Sequence, residues 1–186
     1  RPTPLEWESE GQKYFNERPV STQQTAFCFV GQMRSQYPDP VGGIVWVTND
    51  DPNMAPFVPL NCCITEMPKC FRRIEGEQDD VTFSWESAFW VQNAVSNMVY
   101  PYYEKMFPDV LKQRKEMEEG IDDMHLEDYP LQLLKEQGRG AMVKYMNEAS
   151  LIRSNMMLAR WQHLFEYLMV KHLDMATKKV EADDPL

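Results

Sequence analysis

From Thr25 to Arg34 the chain reads TAFCFVGQMR, a run rich in aromatic and β-branched residues. A period of two sets Phe27, Phe29 and Met33 on one side and Cys28 and Val30 on the other. Both sides are partly apolar, which predicts a strand inside a layered structure. Pro38-Asp39-Pro40 supplies a turn, and Gly42-Gly43 leads into a second strand over Ile44–Thr48, closed by Asn49-Asp50-Asp51-Pro52. A third strand over Phe57–Cys63 contains Pro59, which cannot donate to a ladder and so predicts an edge or a break. The acidic, turn-rich stretch Glu75–Asp80 ends this strand-rich part.

The period then changes. Ala88, Val91, Val95, Met98, Tyr102 and Met106 recur at helical steps of three and four, with Ser84 the expected N-cap and Glu86 in the first turn. Pro101 should end or bend this helix, because a prolyl ring removes a donor and clashes with the turn before it. Pro108 would let a new helix start, and the charged run Lys112–Glu119 reads as its solvated face. A last helical segment begins near Glu127–Pro130, loosens at Gly138-Arg139-Gly140 and becomes one long helix by about Ala141. Its stripe of Leu158, Trp161, Phe165, Leu168 and His172 reads as core. The expected layout is one α+β unit over 1–186, strand-rich in 1–80 and helical in 81–176, with a tail over 177–186. Residues 84–175 should pack as a mostly helical layer on one face of three mainly antiparallel strands from 21–63.

Composition supports the division. Nine of the 13 prolines lie in 1–80 and ten of the 13 methionines in 81–186. With 186 residues and 43% hydrophobic, the chain has about 80 residues for one real core. No apolar run approaches the length of a membrane span, and a soluble protein is expected. The net charge of −10 is shared evenly, 7 basic and 12 acidic residues in 1–80 against 12 and 17 in the rest. With no basic block, nucleic acid is a poor partner. The eight aromatics of residues 81–107 lack basic neighbours and read as helix-on-sheet packing. Cys28, Cys62, Cys63 and Cys70 have neither CxxC nor Cys/His zinc spacing and read as ordinary thiols. A redox role for the adjacent Cys62-Cys63 pair is a weaker alternative. His125, His163 and His172 are scattered, so no metal or cofactor is expected. The opening Arg1-Pro2-Thr3-Pro4 lacks an initiating Met, as expected of a processed product or fragment.

One patch carries chemistry. Ser21, Thr22, Gln23, Gln24 and Thr25 form five consecutive polar side chains at a strand entrance, able to hydrogen-bond an amide or a carboxylate. By residue type alone a plain polar turn is the favoured reading. Together with Gln32-Met33-Arg34, Pro38, Gly42-Gly43 and Trp46, this patch resembles the C-terminal half of the dipeptidase family among the N-terminal-nucleophile hydrolases, which includes dipeptidase A-type enzymes and the secernins. The resemblance continues through Phe57-Val58-Pro59, Met67-Pro68 and Ser87-Ala88-Phe89-Trp90, into a helix with Asn93 and Asn97. It covers roughly residues 20–110, and the later helices by general pattern.

The resemblance implies a four-layer αββα fold and hydrolysis of dipeptide amide bonds by an N-terminal cysteine. In that chemistry the chain's own α-amine accepts the thiol proton, and nearby donors hold the oxyanion. Here the first residue is Arg1 and no cysteine matches that position. No catalytic residue is therefore expected in this chain, which alone should be inactive. The expected partners are the upstream N-terminal half and a dipeptide substrate; a homo-oligomer is compatible. Ser21, Thr22, Gln23 and Gln24 are the expected site-lining residues. In related penicillin- and bile-salt-cleaving hydrolases the comparable turn brings in an arginine, where this chain has glutamine; that role is not carried to Arg34. The alternative from another class is a secernin-like, non-catalytic scaffold of the same fold.

Overall fold

The computed structural model describes residues 6–15, 19–122 and 126–178. His125 and most of the expected tail lie outside them. The described chain opens with a hairpin that the hydrophobic pattern did not reveal, β1 (Glu6–Ser9) and β2 (Gln12–Phe15). Glu10 and Gly11 both have positive φ, as a two-residue hairpin turn twisted to match its strands requires. Trp7 and Tyr14 face each other across it and stack.

The three expected strands form one antiparallel sheet, ordered β3 (Phe27–Met33), β4 (Gly43–Asn49), β5 (Val58–Asn61). Between β3 and β4 lies a single helical turn, α1 (Asp39–Gly42), with prolines at its entrance. Gly42 is needed there, because a Cβ would come within 2.7 Å of the Arg34 carbonyl oxygen. Arg34 spans this corner, donating to the Val41 carbonyl at 2.8 Å and pairing with Glu127 at 2.9 Å. Its role is to tie the turn to the helical part. Pro59 sits in β5, the edge strand, as its missing N–H demands.

The register sets Phe27, Phe29, Val45, Val47 and Leu60 on one face of the sheet and Ile44, Trp46 and Thr48 on the other. The second face meets the helices; Ile44 and Thr48 are 1% exposed. Along β3 the first remains open, with Phe27 and Phe29 more than 60% exposed, whereas Leu60 on β5 is buried. The expectation of an enclosed first strand is thus corrected. Among the described residues β3 is the other edge of the sheet, and no layer covers its aromatic side.

The helical layer consists of α2 (Ala88–Val99), α3 (Tyr103–Asp122), α4 (Asp128–Glu136) and α5 (Arg139–Lys171). Pro101 interrupts the first helix as expected, through a 3-10 turn at Tyr100–Tyr102. Two boundaries differ from expectation. α2 begins at Ala88 after Ser87 rather than at Ser84, whose hydroxyl instead accepts the Glu86 N–H at 3.2 Å. Pro108 lies inside α3 and does not start it. The break at Pro101 has already restarted the helix at Tyr103, so Pro108 leaves only one early carbonyl unpaired. Along α3, Lys112–Glu116, Arg114–Glu118 and Lys115–Glu119 form i,i+4 pairs, each worth a few tenths of a kcal/mol.

The main core joins Val58, Val91, Val95, Val99, Met106 and Val110 to Met157, Trp161, Leu164 and Leu168 of α5. Trp161 is fully buried and donates its indole N–H to the Met54 carbonyl at 3.3 Å. A smaller cluster of Val41, Leu133, Met142 and Met146 packs α4 and α5 beneath α1. His172 is buried at the end of α5, 3.5 Å from Asp109, a structural position. Among the described residues no His, Cys, Asp or Glu cluster could hold a metal, and no helix is long and apolar enough to cross a membrane.

Candidate active site

At the end of β4 the chain turns sharply. Asp50 takes a left-handed backbone (φ 55), which an aspartate tolerates better than most residues. Two backbone N–H groups fix the turn, Asp50 to the Ala26 carbonyl at 3.0 Å and Asn49 to the Gln92 side-chain oxygen at 3.0 Å. As a result two adjacent carboxyl groups, Asp50 and Asp51, are buried between the sheet and α2, each at most 1% exposed.

Each is held by a different set of donors. Asp50 accepts from the Asn93 amide at 2.8 Å and from the Ser96 hydroxyl, both on α2. Asp51 accepts from the Ser21 hydroxyl, from the Tyr100 hydroxyl and from the Asn53 N–H at 3.0 Å. Asn53 in turn donates to the Tyr103 hydroxyl at 3.1 Å, and Arg114 caps the Pro52 and Asn53 carbonyls. The Pro101 break is what brings Tyr100 and Tyr103 to this point.

Burial dominates the electrostatics. It raises the Asp50 carboxyl above its ordinary range, against the lowering effect of the Ser96 and Asn93 donors. Burial, followed by the Asp51 hydrogen bond, also raises the Tyr100 phenol, which therefore stays a donor. For Asp50 the folded state holds the proton more tightly than the unfolded chain, whose carboxyl titrates at about 3.9. This group's contribution to stability is therefore fully present below that value and is lost as pH rises through the raised one. Asp50→Asn should flatten this fall in unfolding free energy between pH 4 and 7, measured by urea denaturation. An unchanged slope would contradict the assignment.

The structure brings the expected polar turn to this pair. Ser21 binds Asp51 directly and accepts the Asn53 N–H at 3.0 Å. Thr22 donates to the Gln24 side-chain oxygen at 2.7 Å, and its N–H reaches the Thr25 hydroxyl at 3.1 Å. All four expected residues are half-buried, and the Gln23 side-chain oxygen is enclosed without a hydrogen-bond partner.

Two cavities open one residue further along the strand. One, of about 330 Å³, lies between the start of β3 and the start of α2, with Phe27, Asn49, Arg72, Gln78, Asp79 and Phe89 in its wall. The other, of about 300 Å³, runs over the open sheet face along Phe29, Val45, Val47 and Leu60. Phe27, Asn49 and Phe71 belong to both. In the first, backbone N–H groups of Gly76 and Val81 hold the Asp79 carboxyl down to about 2.

The four cysteines are free thiols. Burial raises Cys63, and pushes Cys70 up to about 12, the opposite of what a nucleophilic or redox thiol needs. The residues overlooked by sequence reading are Asn49, Asp50 and Asp51, which read as a closing turn. Their signal lay in Asn93, already part of the recognised motif, which turns out to be a ligand of Asp50.

Among curated proteins none matches the chain. The sequence model of peptidase family C69, in contrast, matches residues 4–116, from the first hairpin into α3. That span contains the polar turn, both carboxyls, the walls of both cavities and the helix that carries Asn93 and Ser96, and it exceeds half of the chain. The chain therefore belongs to peptidase family C69, the dipeptidase-type cysteine peptidases, and with them to the peptide-bond hydrolases.

Proposed function

We propose that this chain forms the C-terminal part of a cysteine dipeptidase of αββα architecture, and that its nucleophile is an N-terminal cysteine upstream of residue 1. The observation that carries this reading is a separation. The polar turn and the buried carboxyl pair adjoin in sequence the residues that line the two cavities; Cys70 and Cys28 each line one cavity, but no described thiol hydrogen-bonds to the turn or to the carboxyls, and burial pushes Cys70 up to about 12. The open aromatic face of β3–β4 suits the second sheet that such an architecture requires.

In this reading Asp51 positions the 21–25 turn through Ser21, and Asp50 fixes the strand end beneath it. Asn49, common to both cavities, offers a side-chain amide to a substrate carbonyl. The wall of the first cavity carries Arg72 as well as Asp79, a pairing that suits a dipeptide with one charged end of each sign.

Covalent trapping tests the assignment. The protein with its upstream segment is treated with a dipeptide chloromethyl ketone and digested for peptide mass mapping. The label is expected on the upstream N-terminal cysteine. A label on Cys28, Cys62, Cys63 or Cys70 that abolishes activity would place the nucleophile in this chain instead.

A further inference from the structure

In α5, Arg153 is a buried cation with no carboxylate partner among the described residues. It is 5% exposed. Its Nη2 donates to two neutral oxygens, Asn61 Oδ1 at 3.0 Å and Ser150 Oγ at 3.4 Å. Its Nε–H has no partner, and no carboxylate pairs with it among the described residues. Burying an unpaired ion costs several kcal/mol, so an uncompensated guanidinium in a chain of net charge −10 demands a reason.

Its neighbours sharpen the anomaly. The Asn61 side-chain nitrogen is buried without a partner, and so is Nη1 of Arg160, two turns further along α5. All three unpaired atoms are donors, so what they lack is an acceptor.

There is room for one. Arg153 lines two cavities. One, of about 290 Å³, is walled by Leu126, Tyr145, Met146, Ala149 and Ile152. The other, of about 50 Å³ and shared with Arg160, lies against Met117 and Ile121 of α3. The larger is at the lower limit of ligand pockets, which suits a small molecule. Its walls are mainly apolar, and its one carboxylate, Glu148, is exposed. That rim charge disfavours phosphate or a dicarboxylate, while a single buried guanidinium with donors to spare matches one carboxylate.

We propose that this pocket binds a monocarboxylate with a short apolar body. The carboxylate would rest on Arg153, and the body would lie along Leu126, Tyr145, Met146 and Ile152. The site shares no residue with the Asp50–Asp51 region and does not depend on the dipeptidase reading.

Hexanoate, 1-hexanol and inorganic phosphate serve as probes in calorimetric titration of the full chain, with thermal denaturation in parallel. Hexanoate should bind saturably at one site and raise Tm. Hexanol and phosphate should each bind at least tenfold more weakly. Arg153→Met should weaken hexanoate at least tenfold; it removes the buried charge at similar volume, a change such sites tolerate. Ala149→Leu, which leaves Arg153 in place and fills the pocket, should weaken hexanoate to a similar degree and covers the case in which the arginine variant misfolds. The proposal is overturned by any of three results: no saturable hexanoate binding, equal binding of hexanol or phosphate, or undiminished hexanoate binding by folded Ala149→Leu.

Discussion

Asp51→Ala should destabilise the protein by about 2 kcal/mol or more, because it takes the shared acceptor from three donors, of which only the Asn53 N–H keeps another in the Ser21 hydroxyl. The Tyr100 hydroxyl, the Ser21 hydroxyl and the Asn53 N–H all end on this carboxyl. Each buried donor left without an acceptor costs about 1–3 kcal/mol, and Asp51 itself is fully buried, so water has no easy access to replace it. Against a typical total stability of about 5–15 kcal/mol, this is a large fraction. The effect should also be local. Ser21 is the link between the polar turn and the loop after β4, so hydrogen exchange over residues 20–26 should quicken more than exchange in α5. Asp51→Asn keeps one acceptor oxygen, and rotating hydroxyls can adapt to its amide; its cost should be less than half as large. Urea denaturation of the two variants measures both. An Asp51→Ala protein within about 0.5 kcal/mol of the parent would show that the network is not what holds this corner.

The division into three antiparallel strands followed by a helical layer was legible because the periods are clean. Phe27, Ile44 and Val58 lie in period-two runs, and the Trp161–Leu168 stripe of α5 keeps a helical step for its whole length. Pro101 was equally legible, since a missing N–H acts whatever the tertiary context. Pro108 was not, because its cost depends on whether a helix has already begun, which Tyr103 decides. The exposure of β3 was hidden for a related reason. Two apolar faces predict burial but do not say which partner provides it, and among the described residues none does. The first hairpin was hidden because its residues are mostly polar and its signal is a two-residue turn, Glu10-Gly11.

At the site, the polar turn was read as a patch with a purpose, and it does lie against the buried carboxyls. What sequence could not show is that the Asn49-Asp50-Asp51 turn folds under α2. An Asp-Asp-Pro run after a strand is ordinary turn chemistry. Only the positive φ of Asp50 and the donors arriving from Asn93, Ser96 and Tyr100 distinguish it, and these come from elements more than 40 residues away.

The largest expected effect is on catalysis itself. Hydrolysis by an N-terminal cysteine requires a thiol and an α-amine on the same residue, the amine accepting the thiol proton as the carbonyl is attacked. No thiol of this chain combines that amine with a place at the carboxyl pair, and Cys70 is held protonated by burial. General-base activation of a positioned nucleophile and oxyanion stabilisation are each worth orders of magnitude in rate. Losing the nucleophile should therefore abolish turnover. The direct measurement is hydrolysis of Ala- and Leu-containing dipeptides by residues 1–186 alone, and again with the upstream segment bearing a free N-terminal cysteine. The account predicts no turnover by the chain alone and thiol-sensitive turnover by the combination, lost when that cysteine is changed to alanine. Robust hydrolysis by residues 1–186 alone, or none by a correctly folded combination, would contradict it.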